Sequence, residues 1–343
     1  MTENILFICG SLNQTIMMHK IARQLAGYDC FFTPFYADGP EDFAAQMGWP
    51  TFSVLGGQHL EATRSYLASN SLPMDVRGQG RKYELIVTCS DLIVPKNIRR
   101  NRIVLVQDGI TEPEAWLYEA VKRFKLPRYL ANTASLGFSD AYDVFCVGSE
   151  AYRQLFIGKG VRPEKIAVTG MPNLDDLVRS HANDFLLHEY VLVATSPLRE
   201  TFRRDDRGAF LRKSMETAAG RPLVFKLHPT ENAERAEREI HRLAPEAPVY
   251  MSGNVNHMIA NASVVITQQS TCTFVAVALG KEVHTNLDIS ELKRLMPIQN
   301  GGVSAQKIAG LCRRLLHAPM SLLQHAHKDY RARPRRERVD FSE

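Results

Sequence analysis

An alternation along the chain limits its fold more than any other feature. Short β-branched and apolar runs recur at 5–9 (ILFIC), 30–35 (CFFTPF), 85–89 (LIVTC), 103–106 (IVLV) and 144–147 (VFCV), and amphipathic stretches fill the gaps, as at Gln14–Leu25, Leu60–Ala68 and Pro113–Phe124. The scheme resumes with runs at 166–170 (IAVTG), 190–195 (YVLVAT), 222–227 (PLVFKL), 264–267 (VVIT) and 282–285 (EVHT). Strands alternating with helices build parallel sheets from βαβ units, so the expected class is α/β with two Rossmann-like domains facing across a cleft.

Length supports the division. A chain of 343 residues exceeds one hydrophobic core and suggests two domains of roughly 150 to 180 residues. The boundary falls in Val168–Asp176, where a strand ends at Gly170 and Pro172 and a helix is expected behind Asn173. The expected domains are an N-terminal acceptor domain (1–170), a C-terminal nucleotide-sugar domain (171–325) and a basic tail (326–343). A last helix, Ser304–Leu316, follows Gly301-Gly302 and is expected to pack back across the cleft.

No apolar run reaches the roughly 18 residues a bilayer span needs, and the start MTENILFICG has no signal-peptide pattern. The expected location is the cytoplasm, with peripheral contact at the inner face of the membrane as an option. Six scattered cysteines read as small buried hydrophobes, not as a disulfide frame or a metal site. The charge of +5 owes much to the tail RARPRRER at 331–338, read as a solvated end, and no nucleic-acid partner is expected.

Ligands of open α/β sheets collect at the carboxyl ends of strands, which singles out the residues after each apolar run. Behind the first lies Gly10, with Ser11, Asn13, Gln14 and Thr15 suited to a hydroxylated acceptor or a sugar ring; helix capping uses the same residues. Behind IVLV come Gln107, Asp108 and Gly109, then Glu112 and Glu114. A carboxylate there could take a proton from an acceptor hydroxyl, although Asp-Gly is also a common turn pair. In the second half, Ser196 and Arg199 follow YVLVAT, and Arg199 with Arg203 and Arg204 could neutralise a diphosphate or pair with Asp205 and Asp206. His228 and Pro229 follow PLVFKL, where an imidazole could steady a departing phosphate. Ser270, Thr271 and Thr273 follow VVIT, where helix-start amides and hydroxyls can hold a phosphate or simply cap the helix. The histidines and acidic pairs do not assemble into metal-ligand spacing, and neither a Walker loop nor Gly-x-Gly-x-x-Gly occurs, so no metal and no bound cofactor are expected.

His228-Pro229, then Ser270-Thr271, then a helix closed by Ala278-Leu-Gly-Lys281, resembles the nucleotide lobe of the GT-B sugar-handling superfamily. Within it the pattern is most similar to bacterial sialyltransferases, Kdo-transferases and glycerophosphate polymerases. The resemblance implies a CMP-, CDP- or UDP-type donor, an HP motif and a Ser-Ser/Thr pair on its phosphates, and an acidic-acidic-Gly motif in the first lobe. Here that last motif corresponds to Gln107-Asp108-Gly109, and Gln107 in place of the first acid leaves the donor sugar open. Non-hydrolysing UDP-N-acetylglucosamine 2-epimerases share the fold; Val106-Gln-Asp-Gly109 echoes their Val-Glu-Ala-Gly run, but Gln268-Gln-Ser-Thr271 stands where they carry Asp-Ser-Gly-Gly. The expectation is an inverting, metal-independent glycosyltransferase acting on a cell-surface polysaccharide or lipid-linked acceptor. Asp108 would be the base, with Glu112 beside it, and His228 the leaving-group stabiliser. A sugar-nucleotide epimerase and a non-catalytic nucleotide-sugar-binding protein are the alternatives.

Overall fold

The computed structural model describes residues 2–39, 42, 55–111, 116–200, 204–268 and 270–318. They form two compact units, Met1–Asp175 together with the segment from Pro297 onward, and Asp176–Met296. The sequence-based division at 170 and 171 assigned everything up to 325 to the second domain. The last helix instead belongs to the first unit.

The first unit is built on a six-stranded parallel sheet. Its strands are β1 (Asn4–Cys9), β2 (Asp29–Pro34), β3 (Leu85–Thr88), β4 (Arg102–Val106), β5 (Val144–Val147) and β6 (Ile166–Val168), in the order β2-β1-β3-β4-β5-β6. Every residue of β3 and β5 is buried, as expected of strands covered on both faces. The run at 166–170 opened the second series of apolar runs, although the expected boundary at 170 left it in the N-terminal domain. Its residues 166–168 are β6, in register with Phe145–Val147 of β5, and they close the first sheet. Behind it the chain makes turns and a 3-10 segment, Leu177–His181, where an α-helix was expected after Asn173.

The helices described in this unit before the chain leaves it are α1 (Leu12–Ala22), α2 (Gly57–Ser69), α3 (Trp116–Phe124) and α4 (Glu150–Lys159). Ser11 caps α1 through a complete capping box, its side chain accepting from Gln14 N while Gln14 Oε1 accepts from Ser11 N at 3.1 Å. Glycine at the left-handed C-cap Gly160 ends α4.

The second unit holds β7 (Val191–Ala194), α5 (Arg207–Ala218), β8 (Leu223–Lys226), α6 (Ala233–His241), β9 (Val249–Tyr250), α7 (Val255–Asn261), β10 (Val264–Thr267), α8 (Cys272–Ala278), β11 (Glu282–His284) and α9 (Ile289–Arg294). Its strands are parallel, in the order β11-β10-β7-β8-β9. Val191, Val193, Phe225, Val264 and Ile266 pack with Leu211 and Ile240 from its helices.

The chain then returns to the first unit as α10 (Ser304–His317). Ala305, Ile308, Ala309, Leu311, Cys312, Leu315 and Leu316 join the core of Ile5, Phe7, Val104 and Val144. Asp175 anchors the return, its Oδ2 accepting from Ser304 N at 2.7 Å and its carbonyl from Gly301 N at 3.0 Å.

Both sheets have a topological switch point, β1/β3 in the first and β7/β10 in the second, where neighbouring strands lead their crossovers in opposite directions. Ligands of such sheets settle in the crevice at these carboxyl ends. No helix among the described residues is long and apolar enough to cross a membrane.

Candidate functional site

In the first unit, the strand-tip residues are joined by side-chain hydrogen bonds. Gln14, half-buried in the first turn of α1, donates from Nε2 to Asp108 Oδ2 at 2.7 Å. Asn13 Nδ2 reaches the Asp108 carbonyl at 3.4 Å, and Asn173 Nδ2 donates to both the carbonyl and Oδ1 of Asn13 at 2.8 Å. Gly10 is buried at the end of β1, its carbonyl accepting from Thr63 Oγ1 at 2.8 Å.

Burial raises the Asp108 carboxyl above its ordinary value of 3.8, and the Gln14 amide only partly offsets this. Such a carboxylate binds a proton more readily than an exposed one. Gln107 is buried beside it, accepting from Gly148 N and donating to the Gly109 carbonyl, both at 3.0 Å. A carboxylate could accept from Gly148 N but could not donate to the Gly109 carbonyl, so the amide makes both bonds where an acid would make only the one to the tip of β5. Glu112, the second carboxylate expected here, lies outside the described residues, as do Glu114 and Arg203.

The second unit gathers a denser network at the tips of β7 and β8. Glu231 is 5% exposed, and its carboxylate accepts from Arg207 Nη2, from Thr195 Oγ1 and, at 2.8 Å, from the backbone N of His228. Its own N donates back to the His228 carbonyl at 3.0 Å, so residues 228–231 form a closed turn. The His228 ring is held by Thr230, whose N donates to Nδ1 at 3.3 Å and whose hydroxyl lies 2.8 Å from the same nitrogen. With Nδ1 accepting, the neutral ring carries its hydrogen on Nε2. Pro229 is exposed and fixes the turn.

Arg207 also contacts Asp205 Oδ2 at 3.3 Å and the buried Ser196 through its carbonyl at 3.3 Å. Arg199 is matched within the protein, bonded to Glu239 at 2.8 and 2.6 Å and 3.4 Å from Asp205. Its charge is therefore shared with two carboxylates and is not held in reserve for a diphosphate.

At the tip of β10, Gln268 Nε2 donates to Asp205 Oδ1 at 3.2 Å. A carboxylate only accepts, so this contact fixes the amide orientation and leaves Oε1 as the remaining acceptor. Thr267 Oγ1, Gln268 Oε1 and Thr273 Oγ1 are buried and have no hydrogen-bond partner among the described residues. Buried polar atoms of this kind are costly unless something supplies the missing bond. Ser270 is half-buried, its hydroxyl accepting from Cys272 N at 3.2 Å, and Thr271 is exposed.

The structure thus brings Gln14, Asn13 and Asp108 together in one unit, and His228 with Ser196 and the Glu231 network in the other. Sequence reasoning gave no role to Glu231, Arg207, Thr195 or Gln268, and it had Asp205 only as an ion-pair partner of the neighbouring arginines, which its 3.4 Å approach to Arg199 bears out. One signal was available: His-x-x-Glu has the spacing by which an acid reaches back to a turn's first backbone N–H, as in a capping box.

No protein-family model and no curated protein matches the chain. Its two parallel-sheet, Rossmann-like units have the GT-B fold, as the solved structures similar to it do. They include a putative UDP-N-acetylglucosamine 2-epimerase from Listeria monocytogenes, at 14% identity and TM-score 0.61, covering 92% of this chain and 97% of that one. A UDP-GlcNAc 2-epimerase from Neisseria meningitidis bound to UDP-GlcNAc matches at 11% identity and TM-score 0.55, covering 91% of this chain and 100% of that one. The wall teichoic acid polymerase TagF, in a histidine-to-asparagine variant with CDPG, matches at 11% identity and TM-score 0.53, covering 92% of this chain and 89% of that one.

Proposed function

We propose that the chain is a GT-B glycosyltransferase that moves a sugar from a nucleotide-activated donor to a cell-surface polysaccharide or lipid-linked acceptor. Asp108 carries the reading: a carboxyl at the tip of β4, oriented by the Gln14 amide and raised by burial, is suited to remove a proton. The acceptor hydroxyl gives its proton to Asp108 and its oxygen attacks the anomeric carbon. The bond from that carbon to the phosphate oxygen breaks, its electron pair leaving with the nucleotide, and the anomeric configuration inverts. His228 Nε2 donates to the departing phosphate, with Ser270, Thr271 and Thr273 as further phosphate contacts and Ser196 beside them. Gly10, Ser11, Asn13, Gln14 and Gly109 frame the acceptor side.

The roles of these residues derive from their chemistry and strand-tip positions. Among the described residues no group of three His, Cys, Asp or Glu gathers to hold a metal ion.

A sugar-nucleotide 2-epimerase is the second reading, favoured by the epimerases among the structural relatives. Both readings require a nucleotide-sugar ligand. A thermal-shift panel of CMP, CDP, UDP and GDP identifies the nucleotide, because a ligand that prefers the native state raises the melting point. His228→Ala should abolish that shift. With the matching donor, a transferase releases free nucleotide in step with acceptor glycosylation, an epimerase interconverts two donors, and a binding protein does neither. Normal turnover in both His228→Ala and Asp108→Asn would overturn the site assignment.

A further inference from the structure

We propose that the segment from Lys122 to Leu130 in the first unit is a docking surface for an anionic lipid bilayer. It lies in the β4–β5 crossover, outside the strand-tip site described above. Four large apolar side chains are exposed within seven residues: Phe124 at 68%, Leu126 at 39%, Tyr129 at 36% and Leu130 at 40%. Lys122, Arg123 and Lys125 are exposed among them, and no acidic residue occurs from Ala120 to Ser139.

The inner side of the same segment is already satisfied. Tyr118 and Val121 of α3 pack with Ala131 and Ala134 of the 3-10 stretch Arg128–Ser135, with Phe138 against them. Arg128 Nε ties the segment to the Asp91 carbonyl at 3.1 Å. The exposed apolar side chains therefore belong to a braced element with a core of its own, and Phe124 ends α3 on its outer side. Elsewhere among the described residues, large exposed apolar side chains are scattered or occur in pairs such as Leu186 and Leu187.

Charge decides the partner. Apolar tips interleaved with cations and free of acids match the boundary of an anionic leaflet, where apolar side chains enter the acyl edge while the cations meet headgroup phosphates. A neutral bilayer presents no net negative charge to attract these cations. A protein partner is the competing occupant, and it becomes an outcome of the test.

The test is vesicle flotation with the full chain, using phosphatidylcholine vesicles with and without phosphatidylglycerol. The wild type should float with the anionic vesicles, should not float with the neutral ones, and should be released by salt. Phe124→Ser with Leu126→Ser and Leu130→Ser should abolish flotation. Lys122→Gln with Arg123→Gln and Lys125→Gln should weaken it by roughly a hundredfold, surface cations contributing near-additively to such binding. All six side chains are exposed, and an unchanged melting point checks that each variant folds.

Because the chain also carries the tail RARPRRER, a third variant replaces its five arginines with glutamine. Retained flotation of this variant supports the surface. Loss of flotation in the tail variant together with normal flotation of both surface variants would overturn it. So would equal binding to neutral vesicles, or a wild type that ignores vesicles altogether, which would leave a protein as the occupant.

Discussion

Gln14 Nε2 donates to Asp108 Oδ2 at 2.7 Å across 94 residues of sequence, fastening the first turn of α1 to the tip of β4. The bond selects an orientation for the carboxylate, and burial raises its proton affinity. Gln14 itself is set by the capping box with Ser11, so one local motif at the start of a helix aims a carboxylate on a distant strand.

Asp108→Asn should lower turnover by at least about 100-fold while sparing nucleotide binding, as expected on losing a general base. A carboxyl whose folded pKa is raised holds its proton more tightly in the native state. Its stabilising contribution is complete at acid pH and is lost as pH rises through the folded value. At neutral pH the ionised Asp108 therefore costs stability, and Asp108→Asn should melt at or above the wild-type temperature. The turnover of the wild type should fall on the acid side, with its limb above the ordinary carboxylate value of 3.8. A melting point well below wild type, or a turnover unchanged by the substitution, would contradict this.

Glu231→Gln should destabilise the second unit by roughly 3 kcal/mol in urea unfolding, because Arg207 keeps its buried charge and loses its strongest acceptor. The backbone N of His228 loses a carboxylate at the same time. Nucleotide-induced thermal stabilisation should shrink along with the global stability. A double-mutant cycle with Arg207→Met should give an interaction of about 1 kcal/mol or more, and a result near zero would separate the two residues.

Gly170→Ala tests how the chain passes from β6 toward α10. Gly170 has φ +84, and a Cβ there would fall on Ser304 Oγ and 3.1 Å from Asn300 Nδ2. Both the left-handed backbone and the collision oppose alanine, so a loss of on the order of 2 kcal/mol is expected. Ser304→Gly in the same chain should recover the part due to collision and leave the backbone part.

Ile308→Ala, at a side chain with no exposure in the core of the first sheet, should cost roughly 2–5 kcal/mol in chemical unfolding. A value near zero would mean that α10 is not integral to that core.

Much of the architecture was legible because buried parallel strands leave a strong local mark. The runs at 85–89, 103–106, 144–147 and 264–267 each contain a strand. The two-residue strand Val249–Tyr250 left no such mark, since two residues carry no period. The run at 166–170 was grouped with the second series of runs although the expected boundary at 170 left it in the first domain; its sheet is chosen by pairing with β5 and not by neighbouring sequence. The same limit applies to the site. That Asp108, His228 and Ser270 lie just past strand ends was readable from the apolar runs before them. The pairing of Glu231 with Arg207, and of Arg199 with Glu239, depends on side chains brought together by the sheet, which no local spacing reveals.

The return of α10 to the first sheet has a consequence for biosynthesis. On the ribosome, residues 1–175 emerge long before Ile308 and Leu315, so the earlier-made unit must wait with part of one sheet face uncovered until translation is nearly over. Residues 176–296 are contiguous and can mature first. The order of completion is thus the reverse of the order of synthesis, and a stop codon that removes only the last helix would disable the half of the molecule made first.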